Sequence, residues 1–200
     1  MLNQEWRQRA EHSARENQNQ MSWELTLMRW ANAWWSSSFL DRFIPWFTYL
    51  GSHFMVILIM LLCWIVTHQR RVLRPFISLY AIELLVVYGL KYLIRRPRPF
   101  LFLEMASKLS KGPGEILDPS FPSSHVVFSF MMATFLARWF PRYRIIFFIL
   151  AALIAWSRVY LCVHYPTDVV AGALLGYGIT KIFLHYYSPF PADPKQEKGR

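Results

Sequence analysis

From residue 44 onward the chain alternates between long apolar runs and short charged connections. Ile44 to Thr67 holds no charged residue apart from His53 when protonated, and is long enough to span a bilayer with some tilt. HQRRVLR follows, placing Arg70, Arg71 and Arg74 in a short loop. A second run extends from about Phe76 to Ile94, interrupted only by Glu83 before it reaches Lys91. A third runs from Ser124 to Phe140, and RWFPRYR makes a tight basic turn after it. A fourth, Ile145 to Trp156, is short unless it continues through Cys162. The fifth, Val169 to about Tyr186, carries Gly172 and Gly176 at a spacing that lets helices pack closely. An acid at Glu83, inside a span, has to face protein or water, and pairing with a donor on a neighbouring helix is the role expected of it.

The segments outside these runs read differently. Residues 1–20 are polar and predict a flexible tail, without the apolar stretch of a signal peptide. Trp23, Leu27, Trp30, Ala31 and Trp34 then recur at helical spacing, with Glu24, Arg29 and Asn32 elsewhere. This is the pattern of an amphipathic helix at a membrane interface, where tryptophan concentrates. Residues 100–122 form the longest connection, broken by Gly112, Pro113 and Gly114, and read either as a lid or rim for a site or as an inert loop. The polar, proline-containing stretch 188–200 predicts a second flexible tail. The organisation expected is therefore a tail over 1–20, a membrane domain over 21–187 and a tail over 188–200. Its fold class is all-α, a polytopic membrane helix bundle of five or six transmembrane helices plus the N-terminal amphipathic helix.

Composition supports a membrane protein: 54% of residues are hydrophobic and 18% aromatic. The net charge of +10 is not read as a nucleic-acid footprint, because the cations fall in the short loops and not along one soluble face. Arg70, Arg71 and Arg74, then Arg138, Arg142 and Arg144, then Lys195, Lys198 and Arg200 fall on one side if the spans alternate. The positive-inside rule makes that side cytoplasmic. Cys63 and Cys162 lie at different span ends, so no disulfide follows, and neither looks like a nucleophile. No motif suggests a metal or other cofactor. His53, His68 and His185 are isolated, and structural or interfacial roles are expected of them.

Three stretches carry chemistry, and alternation of the spans brings all three to the side opposite those basic loops. In SRVYLCVHYPTD, His164 and Asp168 are four apart. If the following helix has begun, the carboxylate can accept the Nδ1 proton and leave Nε2 free as base or nucleophile. Arg158 offers a fork of donors that matches phosphate oxygens. In KYLIRRPRP, Lys91 and Arg98 are seven apart, roughly two helical turns, and would clamp a phosphate. In FPSSH, Ser123, Ser124 and His125 gather hydroxyls and backbone amides at a helix start, a natural oxyanion site.

Lys91, Arg98 and Pro99; Pro122 to His125; and Ser157, Arg158, His164 and Asp168 together resemble the three signature motifs of the type 2 phosphatidic acid phosphatase family. These are membrane lipid phosphatases that share a site with vanadium haloperoxidases. Order and spacing agree, and the one departure is Ser124 where the family pattern has glycine, which adds a Cβ beside the phosphate. The motifs cover Lys91 to Asp168. The resemblance implies that His164, oriented by Asp168, attacks phosphorus and forms a phosphohistidine, while His125 protonates the leaving oxygen and later activates water. Lys91, Arg98, Ser123, Ser124 and Arg158 would hold the phosphate, without a metal, and vanadate or phosphate would inhibit. It further implies a bacterial inner-membrane enzyme with its site facing outward, acting first on undecaprenyl diphosphate, with phosphatidylglycerophosphate and phosphatidic acid close behind. A lipid phosphotransferase using the same histidine and an inactive membrane scaffold are the other readings; a soluble haloperoxidase is disfavoured by the apolar spans.

Overall fold

A computed structural model describes residues 22–67, 70–101 and 118–187. The two expected tails, most of the long connection and His68 lie outside the described residues. Seven α-helices account for most of what is described: α1 (Ser22–Trp35), α2 (Ser38–Phe47), α3 (His53–Thr67), α4 (Arg70–Ile94), α5 (Ser124–Trp139), α6 (Arg144–Tyr160) and α7 (Pro166–Tyr186). Short 3₁₀ turns at Thr48–Gly51, Pro99–Leu101 and Pro141–Tyr143 connect them.

The expected first span is not one helix. It breaks at the Thr48–Gly51 turn, and the segments either side are bent by 59°. Packing explains the break. Gly51 is pressed against α5 and α6, and a Cβ there would lie 2.8 Å from Ile154 Cγ2 and from Ser129 Oγ. Ser52 then restarts the helix by accepting a hydrogen bond from Met55 N at 3.3 Å. The second span also differs from expectation, since α4 begins at Arg70 and absorbs the basic segment predicted as a loop. Pro75 is the sixth residue of α4, past the first turn, so the helix forgoes one intrahelical hydrogen bond there. The fourth run does extend to Tyr160, and the fifth starts three residues earlier than expected, at Pro166.

Three helical segments are long and apolar enough to cross a membrane alone, Leu73–Ile94, Pro141–Tyr160 and Pro166–Tyr186, and the bent pair makes up to four. The third expected span, α5, has only 16 residues, but it lies at the centre of the bundle. Val127, Phe128, Met131 and Phe135 on α5 are fully buried with Val56 and Met60 of α3 and Phe76, Leu79 and Val87 of α4. Large apolar side chains instead cover the bundle's outside, among them Leu85, Leu93, Ile145, Leu174 and Ile182, as a bilayer solvent requires.

Two intramembrane expectations hold. Glu83 is buried and accepts a hydrogen bond from Thr180 Oγ1 of α7 at 3.3 Å. Gly172 and Gly176 do seat α7 on α5: a Cβ on Gly176 would fall 2.2 Å from Val127 O, and one on Gly172 would fall 3.0 Å from Ser123 O. Gly178, two residues on, faces open space. Gly176→Ala is therefore expected to destabilise by about 1–3 kcal/mol through overpacking, whereas Gly178→Ala is neutral or stabilising by up to about 1 kcal/mol. Thermal unfolding of the two variants in detergent checks this, and equal midpoints would show that the contact is not what holds α7.

Candidate active site

α4 ends, α5 begins, α6 ends and α7 begins at one end of the bundle, so the three predicted motifs meet there. α6 closes at Tyr160, and Cys162 turns the chain with φ 55°, a left-handed conformation outside the usual range for a side-chain-bearing residue. Tyr165 then precedes Pro166, whose fixed φ suits a first helical position. Asp168 caps this start by accepting from Tyr165 N at 3.0 Å.

His164 therefore sits before the helix and not on it. Its Nδ1 lies 2.8 Å from Ser120 O and 3.7 Å from Asp168 Oδ2. A carbonyl oxygen only accepts, so Nδ1 carries the proton and Nε2 is left with its lone pair. The expectation that Asp168 takes this proton is corrected to Ser120, because the carboxylate is already engaged by Tyr165 N and Arg96.

The clamp residues are buried around this imidazole. Lys91 on the last turn of α4 is 1% exposed and Arg98 2%, unusual for residues that are almost never buried without partners. Arg98 Nη1 reaches Val163 O at 3.4 Å in the His164 loop. Arg158 is 1% exposed, and its Nη1 donates to Thr48 Oγ1 at 3.0 Å. Ser123 is the N-cap of α5, its Oγ buried without a hydrogen-bond partner among the described residues. Ser123 N donates to Asp168 O at 3.3 Å, tying the second motif to the third. Ser124 and His125 form the first turn of α5, where backbone N–H groups lack intrahelical partners. All eight predicted residues thus converge at one end.

Burial disfavours the protonated imidazole of His164, and the charges of Arg98, Arg158, Lys91 and His125 add to the effect, so its pKa falls well below the ordinary value of 6.5. Burial alone would weaken the charge of Arg96, but Asp168 and Glu24 outweigh it and raise its pKa.

Four further residues shape the site and escaped sequence reasoning. Asp118 is shared by both clamp cations, with Oδ2 2.9 Å from Lys91 Nζ and Oδ1 paired with Arg98 Nη2. Thr48 in the helix break holds Ser157 Oγ at 3.0 Å as well as Arg158. Arg96 donates to Asp168 Oδ1 at 2.6 Å and pairs through Nη2 with Glu24. Glu24 in turn accepts from Thr167 Oγ1 at 2.7 Å and Thr167 N at 3.2 Å. The signal for Glu24 was its lone position opposite the tryptophans of α1. Trp23, Trp30 and Trp34 are exposed as expected of an interfacial face, while Glu24 and Asn32 are buried against the site loop. Asn32 Nδ2 donates to Tyr160 O at 2.9 Å.

Buried cations, a helix start and two histidines gather at one end of an apolar bundle, and comparison with known proteins places this arrangement in a family. The profile of the PAP2 superfamily matches residues 72–191, and the chain belongs to that superfamily. It is 30% identical over 142 residues to a protein of Sulfolobus acidocaldarius named undecaprenyl-diphosphatase, covering 70% of this chain and 68% of that one. YbjG of Escherichia coli is 35% identical over 127 residues, 59% of this chain; the chain spans 58% of that relative's length. Among solved structures, LpxE of Aquifex aeolicus superposes with a TM-score of 0.65 at 31% identity, covering 81% of this chain and 94% of that one. A transmembrane PAP2-type phosphatidylglycerolphosphate phosphatase from Bacillus subtilis shares the fold at TM-score 0.65 and 22% identity, covering 96% and 100%. The protein is a multi-pass, all-helical membrane protein of this superfamily.

Removing the cation at Arg96 leaves Glu24 and Asp168 buried side by side. Arg96→Gln is expected to cost about 3–5 kcal/mol, and Arg96→Gln combined with Glu24→Gln less than the sum of the single changes. A double-mutant cycle by unfolding in detergent measures the coupling, expected at about 0.5–3 kcal/mol. A coupling of zero would mean that the pair does not hold α1 to the site.

Proposed function

We propose that the protein is a lipid phosphatase that works through His164, and that its substrate is a lipid diphosphate, with undecaprenyl diphosphate first. The observation that carries this reading is the imidazole of His164, held with its proton on the Ser120 side and surrounded by Lys91, Arg98 and Arg158. Nε2 attacks phosphorus in line as the bond to the leaving oxygen breaks, and His125 gives that oxygen its proton. Lys91, Arg98, Arg158, Ser123 Oγ and the amide of Ser124 hold the other oxygens, where charge shifts during transfer. Water, deprotonated by His125, then cleaves the phosphohistidine and returns the imidazole. Asp118 occupies Lys91 and Arg98 as phosphate oxygens would, so substrate entry exchanges one anion for another.

The substrate preference rests on likeness to the Sulfolobus protein and on a site placed where a headgroup enters while its tail stays in lipid. The 38% identity over 90 residues to a lipid A 1-phosphatase of Rhizobium etli keeps a lipid A phosphate as the second reading. Arg74, Arg138, Arg142 and Arg144 lie at the bundle end opposite the site, which supports a site facing away from the cytoplasm.

Purified protein assayed against undecaprenyl diphosphate, lipid A, phosphatidylglycerophosphate and phosphatidic acid, with and without chelator, tests the reading. His164→Ala is expected to abolish phosphate release with the fold intact, and His125→Ala to slow it by about 10²–10⁴-fold. Normal turnover by His164→Ala would overturn the nucleophile. Because the free enzyme holds His164 neutral, the acid limb of kcat/KM assigned to it is expected well below pH 6.5. The same lowered pKa means that His164's contribution to stability is complete above about pH 6.5 and lost as pH falls from there towards the folded pKa. An acid limb at or above 6.5 would contradict the electrostatic account. Arg158→Lys, which keeps the charge but loses the fork, is expected to lose most activity.

A further inference from the structure

At the end of the bundle opposite the site, α6 and α7 both rest on α5 and leave a cavity of about 890 Å³ between them. Its walls are apolar and aromatic, with Phe148 of α6 and Tyr177 of α7 6.1 Å apart between ring centroids. Its rim gathers Arg138, Arg144, Lys181 and His185 from three different helices, and no carboxylate is among the described residues lining it. None of these residues serves the proposed reaction. Lys181 lies 15 residues along α7 from Pro166, roughly 22 Å from the site end at the helical rise per residue.

We propose that this cavity is a binding site for an anionic glycerophospholipid of the leaflet opposite the active site. The phosphate would sit among Arg138, Arg144 and Lys181, and an acyl chain would run inward past Phe148 and Tyr177. Positive charge at helix ends orients a membrane protein wherever it falls, but topology alone does not require three helices to share a cavity behind their cations. Arginine and lysine recognise phosphate by charge-assisted hydrogen bonds, and basic pockets between helices suit lipid headgroups. A zwitterionic lipid would bring its ammonium against the same cations, and free phosphate would leave the apolar walls unfilled. A second copy docking through a two-fold axis would set this cationic rim against itself. The proposal rests on the bundle and not on the reaction, so it stands or falls separately from the phosphatase reading.

Native mass spectrometry of detergent-purified protein titrated with phosphatidylglycerol or phosphatidylcholine tests it. Neither is a phosphomonoester or diphosphate, so turnover does not consume the probe. The wild-type protein is expected to retain phosphatidylglycerol at least tenfold better than phosphatidylcholine, and to unfold at a higher temperature when it is added. Arg138→Gln, Arg144→Gln and Lys181→Gln together are expected to remove the preference and the shift while leaving phosphate release unchanged. If that triple variant does not fold, Ala152→Trp, which fills the cavity without changing charge, is expected to abolish retention. Retention of both lipids alike, undiminished phosphatidylglycerol binding in either variant, or a lipid-independent dimer that Ala152→Trp dissociates would overturn the proposal.

Discussion

Burying several cations at one end of an apolar bundle is the constraint on which the site depends. Lys91, Arg96, Arg98 and Arg158 are all largely removed from solvent, and each ion taken out of water costs several kcal/mol before any partner is counted. The structure meets this for Lys91, Arg98 and Arg96 with carboxylates in two sets. Asp118 bridges Lys91 and Arg98, while Asp168 and Glu24 close on Arg96. The sets differ in what a bound phosphate does to them. Asp118 is 32% exposed and stands on cations that a phosphate would claim, whereas Asp168 is fully buried and bound to a cation outside the clamp. The first pair is exchangeable and the second is scaffolding.

This division explains why an interfacial helix belongs to the site. α1 turns Trp23, Trp30 and Trp34 outward, as an interfacial helix does, and buries Glu24 and Asn32 beside Leu25 and Met28. Glu24 and Asn32 grip the loop that carries His164, from Tyr160 to Thr167. Asp41 of α2 extends the same grip by accepting from Tyr160 Oη at 2.6 Å. The His164 loop at the bundle end has few neighbours of its own, so the two N-terminal helices supply its walls and hold the ring whose tautomer Ser120 sets.

How much of this the sequence disclosed depended on the range of each contact. The span positions, the face of α1 and the glycine seam of α7 follow from periodicity within one segment, and the converging motifs follow from alternation of spans. The start of α4 at Arg70 was missed because a charged run before Pro75 reads as a loop when helical propensity and the length of the span are not weighed together. The break at Thr48–Gly51 was missed because it answers to Ile154 and Ser129, about a hundred residues on. Spacing likewise made Asp168 the natural partner of His164 at four residues, yet Ser120, 44 residues earlier, takes the proton. Glu24 meets Thr167 across 143 residues, a distance at which no local pattern speaks.

The glycine seam links packing to chemistry more directly than any ion pair does. Gly172 abuts the carbonyl of Ser123, which also accepts from Val126 N and Val127 N as the first turn of α5 forms. Ser123 N donates across the seam to the carbonyl of Asp168. The start of α5, with Ser123 and Ser124, and the start of α7, with Asp168, are therefore joined backbone to backbone, with no side chain between them to act as a spring. A bulkier residue at Gly172 would push the first turn of α5 away from the His164 loop as a rigid step. At 16 residues α5 is shorter than the segments that can span alone, but its length matters less than its contact: it needs only to bring its first turn to the level where α7 begins.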